Sequence, residues 1–256
     1  MLLQEPGQTP YDLRFQILGF PVRVSVTFWA AAAVFGYGLA RSLDAGFRQD
    51  SPGFVTLLLI WCACVFVSIL IHEMGHALAF RGNGIESSIV LYFLGGLAIP
   101  RHGDSRGMSP GQAMWVAAAG PLAQIASAVL IVVAVRLAGS QSPVVWPLTR
   151  LDWLQQGLPL SSVGLTAILF MYVYPSVFWA LLNLIPVWPL DGGRIVNSFV
   201  QMKGGNMVQA LWVSVITAAL VAGYGFSKGE TYLGFLFLIL GVNNFQAIQQ
   251  ISGPRY

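Results

Sequence analysis

Two of the chain's three histidines stand four residues apart with a glutamate between them, in Ile71-His72-Glu73-Met74-Gly75-His76. On an α-helix, positions i and i+4 share a face. Both imidazoles can therefore reach one zinc ion at about 2.0–2.1 Å, while Glu73 sits near enough to handle the proton of a water on that metal. A hydrolytic zinc site needs one more protein ligand and one open position. Glu86, His102, Asp104, Asp152 and Asp191 are the candidates. Asp191 stands apart because it closes a long apolar run, just past Pro186 and Pro189 and just before Gly192-Gly193. Backbone there is expected to leave regular helix and to be able to aim a carboxylate inward. An Asp-Gly pair is equally a surface turn, so the residues alone leave the third ligand open. Cys64 is no substitute, since it lies two helical turns before His72, about 12 Å away along the axis. A non-metal alternative is that His and Glu in an apolar helix pair with each other or with backbone, or line a proton path.

The elements that must position these groups are membrane spans. Only 9% of the 256 residues are charged, against about 25% in a typical soluble domain, and 56% are hydrophobic. Mean hydropathy is +0.69. A soluble globule of this size has too much surface to cover with 10 acidic and 13 basic side chains. The net charge of +3 comes from basic residues scattered singly, which argues against nucleic acid as a partner. Cys62 and Cys64 read as small buried apolar residues, with no disulfide framework and no zinc ribbon.

Charge-free runs predict six transmembrane regions, Val24 to Ala40, Ser51 to Ile71, Gly107 to Val135, Trp153 to Leu190, Gly204 to Ser227 and Thr231 to Pro254. The core helices are expected at about 52–80, 108–136 and 162–186 of one transmembrane domain covering 1–256. Trp153 to Leu190 is too long for one straight crossing, and its prolines suggest irregular backbone at one or both ends. Ser87 to Pro100, SSIVLYFLGGLAIP, is too short to span; its β-branched start and Gly95-Gly96 suggest a small membrane-associated hairpin turning at those glycines. The fold class expected is thus an all-α polytopic membrane protein with a β-hairpin after its second helix. Met1 to Gly19 lacks the apolar core of a signal peptide. With six spans both ends share a side, and placing that side in the cytoplasm puts eight basic residues inside against five outside, a weak positive-inside vote.

His72-Glu73-Met74-Gly75-His76 together with Asn183-x-x-Pro186-x-x-Pro189-Leu190-Asp191-Gly192-Gly193 resembles the site-two protease family of intramembrane zinc metalloproteases, peptidase family M50. Gly120-Pro121-Leu122-Ala123-Gln124 resembles that family's small-residue motif on the intervening core helix. Ile89 to Ala98 resembles its membrane-embedded β element, and Phe20 to Phe28 its entry into the first span. The chain departs from the family at Gln124, where relatives often have Asn, Ser or Gly, and at Ser25, where many have His. The resemblance implies Zn2+ held by His72, His76 and Asp191, Glu73 as general base, and Asn183 in contact with substrate or the developing oxyanion. It also implies a transmembrane protein substrate, a site in the cell (inner) membrane, and a minimal form without an appended PDZ or CBS domain. The strand-like Ile89 to Phe93 is expected to offer an edge for an unwound substrate. The competing readings are a multi-pass transporter, which should spread polar groups over several helices or show a duplication, and a catalytically inactive scaffold, which the intact Glu73 opposes.

Overall fold

The computed structural model describes residues 7–101, 107–141, 156–160 and 162–252. Two short strands open the chain, β1 (Leu13–Ile17) and β2 (Phe20–Val24), followed by helices α1 (Val26–Phe47) and α2 (Phe54–Gly82). The hairpin β3 (Ser87–Tyr92) and β4 (Gly95–Pro100) comes next, then α3 (Pro110–Leu137), α4 (Val163–Asn183), the short α5 (Asp191–Met202), α6 (Met207–Ser227) and α7 (Thr231–Ser252). Six of these helices, α1 to α4, α6 and α7, are long and apolar enough to cross a bilayer, and the protein is an integral multi-pass membrane protein.

Helix starts follow local chemistry. Ser25 caps α1 through the Thr27 N–H, Ser109 and Gln112 form a reciprocal capping box at α3 with Pro110 in its first turn, and Asn206 with Gln209 does the same at α6. The first span begins and ends later than its charge-free run, because the expected interfacial entry is strand β2. The fourth apolar run divides: α4 stops at Asn183, and Leu184 to Leu190 is a string of tight turns before α5. Val187 N–H donates to Ile185 O and Leu190 N–H to Val187 O, so this non-helical backbone is satisfied internally.

The β component is larger than the hairpin expected. Its order is β1-β2-β3-β4, with β2 and β3 parallel and the two hairpins antiparallel. Tyr92 pairs with Gly95, so the turn is Phe93-Leu94 and the two glycines belong to β4. Arg81 fastens the sheet to α2, stacking 3.6 Å from the Phe20 ring centroid and donating to Leu18 O at 2.8 Å.

Helix α2 is apolar all round because it packs against α1, α3, α4, β3 and β4 and turns its remaining stripe of Val55, Leu59, Val67 and Leu78 outward, where a membrane span meets lipid. Its approach to α3 is close enough to require small residues. A Cβ on Gly75 would lie 2.4 Å from Ala119 O, and one on Gly120 would lie 2.3 Å from His76 Nε2. Ser68 meets Ser176 of α4 at 2.8 Å on another face of α2.

Candidate active site

His72 and His76 lie one turn apart on α2, both at most 5% exposed, as their spacing predicts. Asp191 reaches them from the first residue of α5, where the helix N-terminus favours a carboxylate. The three ligand atoms converge: His72 Nε2 and His76 Nε2 are 3.1 Å apart, and Asp191 Oδ2 is 3.1 Å from the first and 3.3 Å from the second. Zinc bonds of about 2.0–2.1 Å at tetrahedral angles place donors about 3.3 Å apart, so these atoms mark three corners of a zinc-sized tetrahedron with the fourth corner free for water or substrate. Protonation supports the same reading for His76. Its Nδ1 is 2.7 Å from Val116 O, a carbonyl that can only accept, so in the neutral ring the proton is on Nδ1 and the lone pair on Nε2 faces the other ligands. Among the described residues these three form the metal-competent group.

The turns before Asp191 are pinned from the far end of the chain. Trp188 N–H donates to Ser214 Oγ of α6 at 3.0 Å, and Asn244 Nδ2 of α7 donates to Trp188 O at 2.7 Å. Gly192 and Gly193 serve close packing. They are helical, and a Cβ on either would lie 2.2 Å from Leu184 O or 2.4 Å from Trp188 N. The break in helix therefore precedes Asp191 and does not follow it.

Glu73 is 4% exposed beside the two histidines, and it lines one cavity together with Gly96, Leu97 and Ala98 of β4. A Cβ on Gly96 would come within 2.4 Å of Glu73 Cγ, so Gly96 is the residue that lets β4 lie against the carboxylate. That cavity, of about 80 Å³, joins His72, Glu73, His76 and Asp191 to Asn183 and Arg194, room for a few waters. Asn183 lines this cavity from the end of α4, and its Nδ2 donates to Trp179 O at 3.1 Å.

Other candidates are elsewhere or undescribed. Glu86 pairs with Arg101, with both side chains exposed and outside the cavity. His102, Asp104 and Asp152 lie outside the described residues. Cys62 and Cys64 are free, and the buried Cys64 thiol points to Ile168 O of α4. The site also draws on Gly96 and Ala98, whose sequence suggests only a hairpin, and on Arg194, Ser214 and Asn244, to which no motif points; for Ser214 and Asn244 the signal is a polar residue in an apolar run. Gln124, a departure from the family pattern, has its Oε1 2.9 Å from His72 Nδ1.

A protein of Synechocystis sp. named as a zinc metalloprotease is 30% identical over 91% of this chain and 54% of its own length. Rip3 of Mycobacterium tuberculosis, also named as a zinc metalloprotease, is 28% identical over 93% of this chain and 53% of its own. The chain thus spans about half the length of these curated relatives. The site-2 protease structure from Methanocaldococcus jannaschii superposes with a TM-score of 0.51 at 21% identity, covering 92% of this chain and 94% of that one, which shows a shared fold. The model of peptidase family M50 matches residues 60–223, a segment holding both helical histidines, Glu73 and Asp191; on that match the chain belongs to peptidase family M50.

Proposed function

We propose that the protein is an intramembrane zinc metallopeptidase that hydrolyses peptide bonds in or near transmembrane segments of membrane-protein substrates. The observation that carries this is the tetrahedral spacing of His72 Nε2, His76 Nε2 and Asp191 Oδ2, built from three ligands inside a six-span protein. When bound, Zn2+ supplies Lewis acidity, polarising the scissile carbonyl and lowering the pKa of an attacking water toward neutrality. Glu73 accepts that water's proton on its carboxylate and returns it to the departing amine, with β4 lying against the carboxylate at Gly96. Asn183 is assigned contact with the substrate carbonyl, a reading supported by its position on the cavity wall, where its Nδ2 donates to Trp179 O.

A substrate helix must unwind before its carbonyls can be attacked. The strand expected to receive it, at Ile89 to Phe93, is β3, and β3 is interior, paired with β2 on one side and β4 on the other. The receiving edge is therefore assigned to β4. By alternation along the register Gly96 and Ala98 direct their N–H groups away from β3, both residues line the cavity with Glu73, and Pro100 ends the edge. The proposed setting is the cell (inner) membrane with both termini cytoplasmic, supported by the eight-to-five distribution of basic residues.

The deciding experiment compares purified wild type with Glu73→Gln for bound zinc and for cleavage of a panel of single-span substrates. The variant should keep its metal and lose cleavage. Cleavage persisting in the variant rejects the mechanism, and absence of zinc from both proteins favours an inactive scaffold.

A further inference from the structure

Gln124 is fully buried in α3, and its amide bridges two helices of the core. Its Oε1 lies 2.9 Å from His72 Nδ1, and its Nε2 lies 2.8 Å from Ser68 Oγ. Ser68 Oγ is 2.8 Å from Ser176 Oγ, which is 2.6 Å from the carbonyl of Tyr172. Ser68 and Ser176 are also fully buried. The direction of every bond in this chain follows from its last member. A carbonyl only accepts, so Ser176 spends its single proton on Tyr172 O and must accept from Ser68. Ser68 then has no proton left for Gln124 and must accept the amide N–H, which turns the amide oxygen toward His72. An oxygen there requires the proton of His72 to be on Nδ1 and leaves Nε2 as a lone pair aimed at His76 Nε2 and Asp191 Oδ2. Gln124 is held from its backbone too: Ser127 Oγ donates to Gln124 O at 2.7 Å and lies 2.8 Å from the Tyr172 hydroxyl.

We infer that Gln124 is a positioning residue for the metal centre, one that locks His72 in the tautomer able to ligate, with the sense of the lock set by Ser68, Ser176 and the Tyr172 carbonyl. The inference rests on the proposal that His72 is a metal ligand. It gives α4 a function at the metal although α4 supplies no ligand.

Three histidines make selective ¹⁵N-histidine labelling tractable. In zinc-free wild type, with His72 assigned by comparison with His72→Ala, its Nδ1 should carry the proton. Zinc affinity is then measured by competition with a chelator. Gln124→Leu should bind zinc about 10–100-fold more weakly, the usual consequence of removing a partner of a ligating histidine. Gln124→Glu, whose carboxylate still accepts from Nδ1, should remain within about threefold of wild type. Ser68→Ala, which touches no ligand, should weaken binding about tenfold, because the amide can then turn its N–H toward His72. Unfolding temperatures identify a variant that merely fails to fold, and Ser68→Ala is the mild variant retained for that case. An unprotonated His72 Nδ1 in wild type, or unchanged affinity in folded Gln124→Leu, overturns the inference. Wild type that binds no zinc refutes the metallopeptidase reading instead, while the labelled spectrum still decides the direction of the hydrogen-bond chain.

Discussion

Replacing Gly96 with alanine tests whether β4 sets the position of Glu73, the proposed general base. The added Cβ would lie 2.4 Å from Glu73 Cγ and 2.5 Å from its Oε1, where ordinary contact begins at 3.4 Å. One of the two elements must give about 1 Å. Gly96 lies in a paired strand without a positive φ, so the substitution brings no backbone strain of its own. Helix α2 is held tightly against α3 at Gly75, two residues from Glu73, which leaves the Glu73 side chain as the part that moves. A misplacement of about 1 Å at a catalytic group costs on the order of 100-fold in rate, equivalent to about 2.7 kcal/mol in the barrier. Zinc should be retained, because Glu73 is not among the ligands. The assay is kcat/KM on a cleavable single-span substrate, with bound zinc and unfolding temperature measured on the same preparations. Gly82→Ala is the control: a Cβ there meets nothing within 4 Å, and cleavage should be unchanged. Full activity in folded, zinc-loaded Gly96→Ala would refute the placement of Glu73 by β4, and loss of zinc would show that the strand supports the metal instead of the base.

Gly120→Ala would set a methyl 2.3 Å from His76 Nε2, where ordinary contact begins at 3.4 Å, so the ring must shift by about 1 Å against a tolerance of roughly 0.2 Å for a zinc bond, and bound zinc should fall well below one per chain by elemental analysis. Asn244→Leu removes the donor to Trp188 O on the turns that carry Asp191; zinc affinity should weaken about tenfold by chelator competition, although α7 contributes no ligand. Ala98→Pro removes the outward N–H in the middle of the proposed substrate edge, so cleavage should fall at least 100-fold while zinc content remains that of wild type.

Features governed by local periodicity were legible in the sequence. His72 and His76 share a helical face because 3.6 residues per turn demand it, and charge-free runs located the crossing helices because hydrocarbon penalises charge. Paired glycines at 95 and 96 suggest a turn in sequence because they usually provide positive φ; Gly95 does have φ +110°, yet both sit in β4, where Gly95 also clears Trp179 and Gly96 clears Glu73. Gly192 and Gly193 likewise suggest a turn and are helical, because a glycine required for close approach is indistinguishable in sequence from one required for turning.

The sequence by itself determined a polytopic membrane protein, a two-histidine helical motif with its glutamate, and a short list of acids from which the third ligand had to come. Local spacing could go no further, because it says which residues share a face and not which faces meet. Tertiary packing brings Asp191 to the two histidines, by setting the start of α5 against α2 and holding the turns before it with Ser214 and Asn244, and leaves Glu86 outside the cavity. Packing also made β4 the strand beside Glu73 and set Gln124 against His72 across 52 positions of sequence. Those choices depend on three-dimensional fit between small residues on neighbouring elements, Gly75 and Gly120 above all, and that fit exists only once the helices are together.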